Sequence, residues 1–576
     1  MGPRFQLHYK KDSPLDVSHL AKIYNDAIEK SFEDGIADRE NPIHGYNPFL
    51  VRQIQNYNPI YSLFFDLNEQ NYNKLTLQHP FGMNKTDLIN RETGEKVDKP
   101  VYFKFAPLLD ATRFMLGNYT ITDPALTLLP TISNKQECFP KLSDPNNVSY
   151  IDSFFYYLSS QLKYTHNVMH AIEFYGSYLG VQELFKANIT DELDYLRSSP
   201  FFAKHLNSEF FIDEMMDYKS FGSSSNRKRL NISSGDSRFS IGAEDIAGEL
   251  TGTNEGETEV VYEKTELETG SVKSSRSSSS SSAGSELNYS SEDEGDADVG
   301  IDDIDEDSES DRESDEYSQE EDTYAYIRNF PTQMICLEKC NGTLDELFES
   351  HEMEEELAAS CLFQIVMTLI IYQKAFQMTH NDLHTNNIMY VNTDQTHLFY
   401  CYNSRYYCVP THGKIFKIID FGRSIYKFQG KTFCSDSFAK SGDAYSQYNC
   451  EPYMNMNKPR IDPNPSFDLC RLGCSIFDFV MDIDVEPDDE FQKTISRWCT
   501  DDNGKNVIYK QNGEERYPGF KLYKMIARNV HRHTPQEQLN FPYFQQFELS
   551  PKKMKKYTLD TVLKNGINID EIPAYW

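Results

Sequence analysis

The chain has 576 residues, 39% of them hydrophobic, with 37 Tyr and 38 Phe against 2 Trp, and a formal net charge of -33. That length can support a large core and more than one structural unit. The acidic balance excludes a nucleic-acid groove as the main business of the protein, because neutralising phosphates takes clustered Lys and Arg.

The N-terminus, M-G-P-R-F-Q-L-H-Y-K-K-D, lacks an apolar signal region, and no run of about 18 apolar residues follows it. Met-Gly opens like a myristoylation site, but Gln6 stands where that pattern needs Ser or Thr. The 11 cysteines form no C-x-x-C pair and read as free thiols of a reducing compartment. The expectation is a soluble, intracellular protein with no membrane partner.

Further along, P-V-Y-F-K-F-A-P (Pro100 to Pro107) predicts a short strand carrying Lys104 between two phenylalanines. A lone Lys in such a strand is otherwise an edge residue that snorkels to solvent. Ser149 to Leu162 predicts a helix with Asp152 as its acid. From Gly222 to Asp322 the chain reads as disordered, since it offers too little apolar surface to offset its ordering entropy. Glu286 to Asp322 alone holds 19 acidic residues and one Arg, which is 18 of the 33 excess negative charges.

Beyond that segment, Met334 to Phe348 predicts a strand ending at Asn341-Gly342, and Ala358 to Phe376 a helix. The turn T-H-N-D-L-H-T-N-N-I-M-Y-V (Thr379 to Val391) brings together His380, Asp382, His384 and Asn387. Thr393 to Gly413 predicts an aromatic hairpin. Lys414 to Ser424 predicts a buried strand that runs into Asp420-Phe421-Gly422. Asp382, Asn387 and Asp420 form an oxygen set suited to magnesium, which takes few protein carboxylates and keeps waters and phosphates. Phosphoryl transfer needs these parts and one cation more.

These residues resemble the eukaryotic-type serine/threonine protein kinase family. His380-Asn381-Asp382 stands at its His-Arg-Asp, Asn387 at its catalytic-loop Asn, and Asp420-Phe421-Gly422 at its Asp-Phe-Gly. Asn449 to Tyr453 stands at the close of the activation segment, with Glu451-Pro452 in reversed order, and Asp468 at the buried Asp that holds the catalytic loop. The divergence, the insertions and the Tyr, Phe and Asn richness are similar to kinases encoded by large DNA viruses, which implies host cytoplasm or virion as location.

The resemblance implies an α+β, bilobal protein-kinase-like fold with a β-rich small lobe and a mainly α-helical large lobe. Residues 1–77 would be an N-terminal extension and 78–338 the small lobe, interrupted by 222–322. Residues 339–576 would form the large lobe with a C-terminal extension. Val168 to Leu179 would be the fourth strand, and Met334 to Phe348 the fifth strand, the hinge and the start of the next helix. It further implies ATP and Mg2+ as cofactors, with Lys104 on the phosphates and Asn387 and Asp420 on the metal. Leu337 would guard the adenine pocket, and Glu338 and Cys340 would offer backbone groups to the adenine edge. Asp382 would accept the proton of a Ser or Thr hydroxyl on a protein substrate.

The chain departs from the family pattern in several places. No G-x-G-x-x-G precedes Lys104, where only Gly82 and Gly94 occur. No Glu is evident to pair with Lys104, and Asp152 is a shorter residue whose register fits poorly. His384 replaces the usual Lys, and H-x-D-L-H-x-x-N also resembles aminoglycoside and choline kinases. A small-molecule kinase is therefore the alternative, followed by a pseudokinase or a scaffold displaying its acidic tract. Asn381 replaces the Arg that clamps an activating phosphate, which implies activity without phosphorylation between Asp420 and Glu451.

Overall fold

The computed structural model describes residues 7–213, 322–481, 485–550 and 566–576. The segment expected to be disordered over 222–322 lies outside the described residues except for Asp322. The described part is a mixed α+β structure.

Its largest sheet has five strands, all antiparallel. Val51–Gln55, Phe174–Asn188, Tyr324–Glu338 and Val101–Pro107 lie side by side in that order, and Phe210–Ile212 pairs with the early part of Tyr324–Glu338. In the Lys104 strand, Phe103 and Phe105 point to one face, where both meet the Phe49 ring edge-on. Alternation sends Lys104 to the opposite face. There the helix Val148–His166 packs, tied to the end of the lysine strand by the Ser149 hydroxyl, which donates to the Pro107 carbonyl at 2.6 Å.

Two strand expectations shift. The fourth strand begins at Phe174 rather than Val168, because the helix ends at Asn167 in a left-handed conformation (φ 57°) and Val168 to Ala171 form a buried turn. Apolar residues in a buried turn and in a strand look alike in sequence. The fifth strand begins at Tyr324, since it pairs along the whole length of Phe174–Asn188.

The second half mixes helices with several small sheets. The 22-residue helix Glu355–Phe376 is long and apolar enough to cross a membrane, but 89% of its apolar window is buried inside the protein. It carries the hairpin His397–Tyr402 and Arg405–Pro410, whose Tyr400 and Tyr407 rings pack on Phe363. Residues 403 and 404, both at positive φ, form the two-residue turn that matches strand twist. Asp570 accepts both of their amides, and Ile567–Asn568 adds to the hairpin in parallel, so the C-terminal residues fasten it. One continuous apolar core runs through the sheet and the helices.

Candidate active site

Lys104 is 5% exposed. Its ammonium lies 2.8 Å from Asp152 Oδ2 and 3.2 Å from Asp420 Oδ1, with the Tyr156 ring 5.7 Å away. Burial works against the charge, but the two carboxylates outweigh it and hold Lys104 above the usual lysine range. Burial also raises Asp152, to about 6, against the pull of Lys104. The expectation that Asp152 fits poorly is thus corrected. The helix lies close enough to the strand for the shorter side chain to reach, and Asp152 Oδ1 also accepts the Phe421 amide at 2.7 Å.

Asp420 itself sits at φ 61°, and its amide donates to the Tyr156 hydroxyl at 2.9 Å. The left-handed region costs a residue with a Cβ roughly 1–2 kcal/mol, and the bonds from Asp152 and Tyr156 keep the chain there. Behind it, a Cβ on Gly422 would meet Val148 Cγ2 at 2.9 Å, so glycine is needed for the helix to approach.

The catalytic-type turn is held from below and from the side. Asp468, at the start of the helix Phe467–Val480, accepts the amides of His380 and Asn381, each at 2.9 Å. The Ile388–Asn392 strand pairs with Lys414–Ile418, and the Ile419 amide donates to the Asn387 carbonyl at 3.0 Å. Those bonds set Asn387 beside the segment leading to Asp420. The Asn387 amide group donates to the Asp382 carbonyl at 3.0 Å, which fixes which way its oxygen faces.

Asp382 is 1% exposed. It accepts the Tyr523 hydroxyl at 2.7 Å, and Arg423 Nε lies 3.9 Å from its second oxygen. Burial would raise its pKa, but Arg423, with His384, Arg471 and the Tyr523 bond, holds it well below the carboxylate range. His384 is half-buried at the base of the site, and desolvation takes it down to about 4, so it is neutral at pH 7.

Among the described residues, Leu337, Glu338 and Cys340, expected at an adenine hinge, form no hydrogen bond or ion pair with Lys104, Asp152 or Asp420, and the Glu338 backbone amide is already used within the sheet. Leu337 is buried opposite Tyr102 in the sheet. The Glu338 amide donates to the Glu173 carbonyl at 2.9 Å and its carboxylate takes the Lys417 ammonium at 2.7 Å. Cys340 is half-buried. The hairpin Phe81–Asn84 and Asp87–Asn90, which contains Gly82, packs on Phe174–Asn188. Among the described residues, the outer edge of the Lys104 strand has no sheet partner.

Asp420 and Asn387 make a one-carboxylate, one-amide pair, the size of set that Mg2+ accepts while keeping waters and phosphates. Among the described residues there is no group of three or more His, Cys, Asp or Glu arranged for a metal. Sequence reading missed Arg471 and Tyr523. Arg471 left one signal, a lone cation in the apolar run L-C-R-L-G-C, which must find a partner when buried. Tyr523 left none. The sequence matches no protein-family model and no curated protein.

Proposed function

We propose that the protein is an ATP-dependent phosphotransferase of bilobal, protein-kinase-like fold, acting on a Ser or Thr hydroxyl of a protein. One observation carries this reading: Lys104 bridges Asp152 and Asp420 in a buried cluster, although 316 residues separate Lys104 from Asp420 in the chain. A buried cation beside a one-carboxylate metal pair is what a polyphosphate needs, and a scaffold gains little from burying three charges.

In this mechanism Lys104 exchanges part of its contact with Asp420 for the non-transferred phosphates. Asn387 and Asp420 would hold Mg2+, which supplies charge neutralisation on the phosphoryl oxygens. Asp382 is ionised at neutral pH and takes the proton of the acceptor hydroxyl. His384, neutral, donates a hydrogen bond to the transferred group instead of the charge a lysine would bring.

His384 also keeps small-molecule acceptors in view. The test is labelled ATP and magnesium with generic protein acceptors beside aminoglycoside and choline acceptors. Transfer to protein Ser or Thr is expected. Label on aminoglycoside or choline alone would replace the acceptor class, and no transfer to any acceptor would remove the enzymatic reading.

A further inference from the structure

The C-terminal region reaches the catalytic-type turn through a short directional chain. Tyr523 lies on the helix Lys521–Asn529 and is 0% exposed. Arg471 Nε, on the helix Phe467–Val480, donates to the Tyr523 hydroxyl at 3.0 Å, and that hydroxyl donates to Asp382 Oδ1 at 2.7 Å. An arginine can only donate, so the phenol accepts from it and its own proton is left for the carboxylate. Leu522, Ile526 and Ala527 are buried beside Tyr523, and the Asn464 side chain donates to the Val530 carbonyl just past the helix end. The arm that delivers Tyr523 is therefore a core element.

We infer that Tyr523, held by Arg471, is a positioning residue that fixes the orientation of the Asp382 carboxylate toward the acceptor hydroxyl. The inference rests on the reading of Asp382 as the base. A carboxylate has about four lone-pair sites, so one bond from Tyr523 orients it and leaves it able to accept a proton. The groups facing Asp382 come from four elements: Arg423 after Asp-Phe-Gly, His384 from its own turn, Arg471 and Asp468 from one helix, and Tyr523 from another.

The experiment is Tyr523→Phe in the full chain, read by steady-state transfer. Expected are a fall in kcat of about tenfold or more and a KM for ATP within about twofold of wild type. Arg471→Lys, which keeps the charge but not the Nε geometry, should fall between the two. Tyr509→Phe is the control, since Tyr509 makes a similar bond to Asp478 at 2.8 Å on the same helix as Arg471; it should leave kcat in place. If Tyr523→Phe keeps wild-type kcat while Asp382→Asn is inactive, the positioning role is wrong and the base assignment stands. A raised kcat would also overturn it, by making the hydroxyl an obstruction. Wild type that transfers to no acceptor would remove both the base and its positioning residue.

Discussion

Asn381 is fully buried at φ 67°, and each polar end of its side chain is used. Its amide donates to the Thr379 and Arg423 carbonyls, and its oxygen accepts the Tyr448 hydroxyl at 2.7 Å. The residue thus ties the turn to the segment after Asp420 with neutral bonds. Arg423, 1% exposed in its side chain, lies between Asp382 and Asp443 with the Phe520 and Tyr523 rings 5.9 Å away. Asp443 supplies within the chain the anion that a phosphate would bring. Ser435 and Ser437 are buried and bonded to each other, which keeps them from a modifying enzyme. Phosphatase treatment should therefore leave transfer within about twofold. Asp443→Ala should lower it by about tenfold or more, because Arg423 would then be buried without that partner. A tenfold loss on dephosphorylation, about 1.4 kcal/mol on the barrier, reversed by rephosphorylating Thr432 or Ser441, would contradict this.

At the scale of elements, residues 213 and 324 hold the two ends of the acidic excursion together. Phe210–Ile212 pairs with Ala325 to Ile327, and the Asp213 amide donates to the Tyr324 carbonyl at 3.1 Å. Closing a shorter loop between ends already paired costs only about 0.6 kcal/mol per doubling in length, and shortening it returns that amount. Replacing 222–321 with a short polar linker should therefore leave the melting transition and ATP turnover nearly unchanged. Loss of cooperative melting would make the excursion part of the fold.

The same scale explains what could be read in advance. Asp468 sits at the start of a helix, Asn387 just before a strand, Asp420 just after one and Lys104 within a short strand, so local pattern makes their neighbourhoods legible, with Asp382 in the turn between helix and strand. Asp152 was visible but discounted, because its reach depends on how closely a helix approaches a strand, and that distance is set by Ser149 and Gly422 rather than by periodicity. Tyr523 meets Asp382 across 141 residues and has no local signature at all.

For the whole molecule, buried histidines link stability to pH. His79 is 1% exposed and His170 is 0% exposed, and desolvation lowers their pKa values to about 3 and about 4. His384 is lowered to about 4 as well. A folded pKa below the unfolded value near 6.5 means that the unfolded chain binds protons first as pH falls. Stability is then present above about 6.5 and is lost progressively down to about 4. Burial likewise lowers His166 and His533, while Asp152, Asp144, Asp468 and Glu515, raised by burial, work the other way over part of that window. Urea midpoints should fall from pH 7 to pH 5, with a smaller fall in His170→Gln. A midpoint that stays level or rises would contradict the neutral burial of these rings. The candidate active site has one more direct test, which separates binding from chemistry. Nucleotide affinity in magnesium and labelled transfer are measured side by side on wild type, Asp382→Asn and Asp420→Ala. The account predicts that Asp382→Asn binds Mg-ATP as wild type does but transfers nothing, and that Asp420→Ala binds it more weakly. Equal turnover in wild type and Asp382→Asn, or Asp420→Ala binding unchanged in magnesium, would contradict it.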